Sequence, residues 1–81
     1  MKDKTLFPDN LKTIRCFNKM SCVEFGKLLK LDGKRLVDVE NGRLHPKLEE
    51  IKAVAKHAGY SEYVVSNIKL EMLIIVNPKS V

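Results

Sequence analysis

The sequence predicts a single, mainly α-helical domain: five helices followed by a C-terminal β-strand or helical extension. Three observations predict it. First, apolar residues recur three and four positions apart, as in Leu11/Ile14, Phe25/Leu28/Leu29, Leu36/Val39 and Leu48/Ile51/Val54/Ala55/Ala58, the period of one helix face. Second, helix start and stop signals separate these runs. Third, only between Ile68 and Val76 does the period shorten to two, as in a strand.

The elements follow in order. Pro8 lets a helix begin just after it, and Asp9 or Asn10 can cap that helix. Leu11, Ile14 and Cys16/Phe17 supply its apolar side, so the first helix is read as about residues 9–19. Ser21-Cys-Val-Glu24 is a capping box, in which the hydroxyl reaches the N3 amide and the glutamate reaches back. It opens a second helix at about 21–29. Asp32 caps a third, about 33–40, which stops at Asn41-Gly42. Pro46 opens a fourth, about 46–57, ended by Gly59, and Ser61 caps a short fifth carrying Val64 and Val65. In the last segment Ile68, Leu70, Met72, Ile74 and Val76 alternate with Lys69 and Glu71. That pattern and its β-branched residues favour a strand; a helix burying Ile68, Met72 and Ile75 is the alternative. The domains are accordingly an N-terminal arm at 1–8, a helical domain at 9–66 and a tail at 67–81.

Composition narrows the function. Hydrophobic residues make up 44% and charged residues 31% of 81 residues, which excludes gross disorder, collagen and a disulfide-dense scaffold. The longest apolar run, Met72–Val76, is far short of the roughly 20 residues that cross a bilayer. No basic segment followed by an apolar stretch opens the chain. A cytoplasmic protein without membrane contact is expected, and Cys16 and Cys22 are expected as free thiols. The net charge is +5, with +3 in residues 1–20, +2 in 21–60 and none in 61–81. Such a surplus fits a polyanionic partner. No Ser/His/Asp or Cys/His arrangement, metal-ligand spacing or phosphate-cradling glycine loop is legible. His45 lies in a loop before proline, and His57 suits the end of a helix dipole. No catalytic residue, metal site or cofactor is therefore expected, and the chain is read as no enzyme.

Two short helices joined by a tight turn, the second followed by Glu40-Asn41-Gly42-Arg43, resemble the Xre/Cro-repressor family of helix-turn-helix domains. The register continues from Ser21 through Phe25-Gly26, Leu36 and Val39 to Pro46 and Leu48-Glu49. Asn10-Leu11-Lys12 and Ile14-Arg15 are similar to the family's first helix. The resemblance spans about residues 10–65 and implies a five-helix lambda-repressor-like fold. It also implies a structural ion pair between Arg15 and Glu40; removing either partner of such a pair leaves an unpaired charge. The small Gly26 would let helix 2 approach helix 3.

In this fold the third helix enters the major groove of double-stranded DNA while the second crosses the backbone. The register implies groove-facing positions Gly33, Lys34, Arg35 at the margin, Val37 and Asp38. Lys34 and Arg35 can donate to guanine, and Val37 can touch a thymine methyl. The amides near Cys22, with Arg43 and Lys47, would hold phosphates. The chain departs from the family pattern at six positions. Cys22 stands where glutamine is usual, Lys30 stands where a left-handed glycine is usual, Gly33 brings no side chain, Asp38 places a carboxylate toward the groove, and Leu28 and Val37 are apolar where the family is usually polar.

An apolar tail cannot stay exposed as an unpaired strand. Ile68, Leu70, Met72, Ile74 and Val76 are expected to pair with Thr5-Leu6-Phe7 or with a second copy. A homodimer held by this tail would present two recognition helices to a palindromic operator. The expected function is a DNA-binding transcription regulator, a phage-type repressor of prophage or other mobile-element character. The alternative is a protein-interaction module on the same fold, an antitoxin or antirepressor, using Leu28, Val37 and the tail against a protein partner.

Overall fold

The chain is mainly α-helical. The computed structural model describes residues 5–72, and these form α1 (Phe7–Phe17), α2 (Cys22–Leu29), α3 (Gly33–Glu40), α4 (Leu48–Ala58) and α5 (Glu62–Asn67). A further helical turn occupies 70–72, and no strand occurs among the described residues.

Local chemistry sets the boundaries. α1 starts earlier than the expected residue 9, because proline is tolerated in a first turn and Pro8 sits inside that turn. Neither Asp9 nor Asn10 caps it. Leu6 is the N-cap, and the Phe7 amide donates to Thr5 Oγ1 at 3.2 Å. The capping box of α2 is complete: Glu24 N donates to Ser21 Oγ at 3.1 Å and Ser21 N to Glu24 Oε1 at 2.9 Å. α2 ends on Lys30, which is left-handed at φ 61°, ψ 42°. Asp32 caps α3 by accepting the Lys34 amide at 2.9 Å. α4 ends at Gly59, where φ is 81°, and Ser61 caps α5 through the Val64 amide at 3.1 Å.

The core gathers one face from each helix. α1 contributes Phe7, Leu11 and Ile14; α2 contributes Phe25; α3 contributes Leu36 and Val39; α4 contributes Val54 and Ala55; α5 contributes Val65. Each fully buried large side chain stabilises the fold by about 1.5–3 kcal/mol. α1 packs against α3 and α5 and touches α4. Three expected apolar-face residues are outside: Phe17 is 62%, Leu48 59% and Leu28 49% exposed. Cys16 is exposed as well. Starting at Phe7, the buried row of α1 runs 7, 11, 14, and positions 16 and 17 fall off that face.

The tail departs from the strand reading. Residues 70–72 are helical, and Leu70 is fully buried in its own chain's core, whereas Ile68 is 39% and Met72 57% exposed. These three residues thus do not share one face. Phe7 is helical and buried, so Thr5-Leu6-Phe7 offers no strand edge; the Leu6 amide instead donates to Ser66 O at 2.9 Å. Ile74 and Val76 lie outside the described residues. The folded unit therefore includes Phe7 at one end and Leu70 at the other, beyond the expected limits of 9 and 66. Asn10 holds the two ends together. Its Nδ2 donates to Val65 O at 2.7 Å and Ile68 O at 2.8 Å, and its Oδ1 accepts the Leu70 amide at 2.9 Å.

Candidate nucleic-acid interface

The α2–α3 pair is built on two glycines. A Cβ at Gly26 would lie 2.8 Å from Gly33 N, and a Cβ at Gly33 would lie 2.7 Å from Val23 Cα. Both contacts are with backbone, so neither position accepts a side chain without displacing a helix. Gly33 is therefore a packing residue whose side-chain direction faces α2, and it has no place in a groove-reading row. With Leu36 and Val39 turned into the core, the outer edge of α3 carries Lys34, exposed, and Val37, 38% exposed, with Asp38 half-buried beside them.

Behind this edge lies the ion pair that the resemblance implied. Arg15 Nε and Nη2 donate to Glu40 Oε2 and Oε1 at 2.9 and 2.8 Å, and Nη1 donates to Met20 O at 2.8 Å. The hydrogen bond to Glu40, together with its charge, outweighs burial and raises the Arg15 pKa further. This two-point fork ties the end of α1, the α1–α2 turn and the last residue of α3 together. Cys22 belongs to the same cluster: its Sγ lies 3.4 Å from Glu40 Oε2. Burial, then the Glu40 charge, pushes the thiol pKa up, so Cys22 stays a neutral donor at neutral pH. Its side chain points inward; only its backbone amide, at the start of α2, remains for an external acceptor.

Arg35 is engaged within the chain. Its Nε donates to Glu50 Oε2 at 2.8 Å, and its Nη2 donates to Glu50 Oε1 at 3.2 Å and to His45 O at 3.1 Å. Glu50 is 2% exposed, and its Oε1 also accepts the Lys47 amide at 2.7 Å. Burial opposes ionisation of Glu50. The hydrogen bonds from Arg35 and Lys47 and their charges together outweigh it, leaving the carboxyl below its ordinary value. The Glu50 hydrogen bond in turn raises the Arg35 pKa. Arg35 would abandon a buried carboxylate if it turned to DNA, so its expected role as a base donor is corrected to that of a strut between α3, the α3–α4 loop and α4. Sequence reasoning missed Glu50. The available signal was its position four residues before Val54, on the inward face of α4.

The remaining expected contacts differ in availability. Arg43 Nη1 pairs with Asp38 Oδ1 at 2.8 Å, with the two side chains 66% and 39% exposed. Lys34 and Lys47 are exposed and make no ion pair among the described residues. Lys34 and Lys47 are thus unpaired and Arg43 sits in an exposed pair, while the apolar Val37 and Leu28 are 38% and 49% exposed.

Other sequence candidates lie elsewhere. His57 stacks edge-on to Phe25, ring centroids 5.4 Å apart. A shallow groove between α1 and the tail is lined by Asp9, Asn10, Lys12, Thr13, Cys16, Lys69 and Glu71, of mixed charge and with no residue from α2, α3 or the α3–α4 loop. Among the described residues no cluster of metal-ligating side chains forms, and no helix is long and apolar enough to cross a membrane. Comparison of the chain with protein-family models, with curated proteins and with solved structures gave no match.

Proposed function

We propose that the chain is a sequence-specific DNA-binding transcription regulator of the Xre/Cro-repressor type, with a lambda-repressor-like helix-turn-helix formed by α2 and α3. The observation that carries this reading is the seating of α3. Glycine contacts hold it against α2 and Leu36 and Val39 anchor its inner edge, while Lys34, Val37 and Asp38 stand on an exposed outer edge. Lys34 would donate to a base edge or phosphate, Val37 would meet a thymine methyl, and Lys47 and the Cys22 amide would take phosphates. Selection of bound duplexes from a random DNA pool tests the reading. An enriched consensus, with Lys34→Ala weakening binding to it about tenfold, is expected; a pool without enrichment, bound equally by Lys34→Ala, overturns it.

Palindromic recognition requires two copies. The homodimer is proposed to use Ile68 and Met72, the exposed members of the tail set among the described residues; Leu70 fills its own core instead. A palindromic consensus is the expected sign, and a single half-site sinks the dimer while leaving DNA binding intact.

A second reading is favoured by a specific observation. Two of the four expected cations, Arg35 and Arg43, are paired within the chain, and Val23, Leu28 and Val37 are 52%, 49% and 38% exposed. A surface of that character fits a protein partner, as in an antitoxin or antirepressor. Unchanged DNA affinity of Lys34→Ala at low salt favours this second reading.

A further inference from the structure

The three arginine–carboxylate pairs fall into two kinds. Arg15–Glu40 and Arg35–Glu50 are two-point forks, each with an extra bond to a backbone carbonyl and each between side chains at most 25% exposed. Arg43–Asp38 is held by a single hydrogen bond between side chains 66% and 39% exposed. Exposed pairs of this kind are weak and exchange readily.

The backbone beneath the third pair is fixed. Asp38 O accepts the Arg43 amide at 2.8 Å and the Leu44 amide at 3.3 Å, and Gly42 makes the turn at φ 79°. The Arg43 side chain can therefore leave Asp38 without any change in the path of the chain. Its root stays one turn beyond the outer edge of α3, on the same side as Asp38.

From this we infer that Asp38 is an internal competitor for Arg43: it occupies the guanidinium in the free protein and gives it up to a phosphate of a bound duplex. Asp38 thereby sets the affinity of the interface without touching the ligand. The inference rests on the DNA-binding reading above and goes beyond it by assigning the odd carboxylate of α3 a regulatory role. When Arg43 swings to phosphate, Asp38 is left unpaired next to a polyanion. Binding therefore carries a penalty that an uncharged residue at 38 would remove.

The test uses the full chain and a 20-base-pair duplex of random sequence at low salt, because phosphate contacts do not depend on sequence. Asp38→Asn is expected to bind about threefold tighter than wild type. Arg43→Ala is expected to bind more weakly, with the slope of log affinity against log salt reduced by about 0.9. In the Arg43→Ala background the gain from Asp38→Asn is expected to shrink, because only repulsion of phosphate by the carboxylate then remains to be removed. Far-ultraviolet circular dichroism checks that each variant folds, and Asp38→Ser serves as the second neutral substitution. A gain from Asp38→Asn that persists undiminished without Arg43 overturns the inference, since Asp38 then only repels phosphate. Wild-type binding that Lys34→Ala weakens but Asp38→Asn leaves unchanged overturns it while the DNA-binding reading stands. Absence of any wild-type binding ends both.

Discussion

Two seams close this molecule, and they close by opposite means. Between α2 and α3 the chain removes side chains: Gly26 and Gly33 let the helices meet backbone to backbone. Between α1 and the C-terminal residues it inserts one: Asn10, 1% exposed, spends its amide on Val65 O, Ile68 O and the Leu70 amide. The difference follows from what each seam buries. At the α2–α3 contact what faces each glycine is backbone, Gly33 N and Leu31 O at Gly26 and Val23 Cα and Cys22 O at Gly33, so close approach needs space. At the end of α5 the helix has stopped, and its last carbonyls face the interior without an intrahelical donor. A buried carbonyl needs a partner. Asparagine is suited to supply two N–H groups and one acceptor at a single point.

Substitution at the polar seam is expected to have the larger effect. Asn10→Leu keeps the volume and the apolar fit but leaves two carbonyls and one amide without partners. With about 1–3 kcal/mol for each buried polar group left unsatisfied, the expected loss is roughly 4 kcal/mol, read from urea or thermal unfolding. A loss below about 1 kcal/mol would mean that water replaces the asparagine, and the seam would then be incidental to stability.

The glycine seam should respond less, and differently. Gly33→Ala places a methyl 2.7 Å from Val23 Cα and 3.1 Å from Cys22 O, so α2 or α3 must shift. Overpacking of this kind costs about 1–3 kcal/mol, partly offset by the better helix propensity of alanine. A net loss of about 2 kcal/mol in the same unfolding assay is expected. A stabilised Gly33→Ala protein would show that the two helices slide freely, and the fixed presentation of Lys34 would lose its basis.

The two seams also differ in how far the sequence discloses them. The α2–α3 seam joins positions seven apart, and its parts have local signatures: the Ser21/Glu24 box, the Asp32 cap, the small Gly26, the stop at Asn41-Gly42. Those signals place α3 at Gly33–Glu40, whereas the left-handed turn at Lys30 is implied only by the resemblance and Gly33 reads as groove-facing. The Asn10 seam joins positions 55 to 60 apart, and the carbonyls it satisfies belong to the backbone, which leaves no mark in a sequence. From sequence, Asn10 accordingly reads as a cap and Leu70 as part of a dimer face. The same reason hid the Arg35–Glu50 strut. An arginine on an outer helix position and an acid in a first helical turn each have an ordinary local explanation, and only the packing of α4 against the α2–α3 unit brings them together. At the candidate interface, charge type was legible and charge availability was not.

The turn that completes the glycine seam offers the smallest effect and the cleanest sign. Lys30 holds φ 61°, ψ 42°, a conformation that costs a non-glycine residue roughly 1 kcal/mol. That geometry lets the amides of Lys30 and Leu31 return to the end of α2, the Leu31 amide reaching Gly26 O at 2.7 Å. The strain is thus tied to the same glycine that admits α3. Lys30→Gly should relieve it, while the added freedom of the unfolded chain takes back part of the gain. A net stabilisation of about 0.5 kcal/mol is expected in thermal unfolding. Lys30→Ala separates strain from charge, because it removes the ammonium and leaves the backbone penalty in place, and should leave stability unchanged. Equal gains from Lys30→Gly and Lys30→Ala would trace the effect to the Lys30 ammonium and not to the backbone. The turn would then be relaxed, and the α2–α3 seam would owe its closeness to the glycines alone.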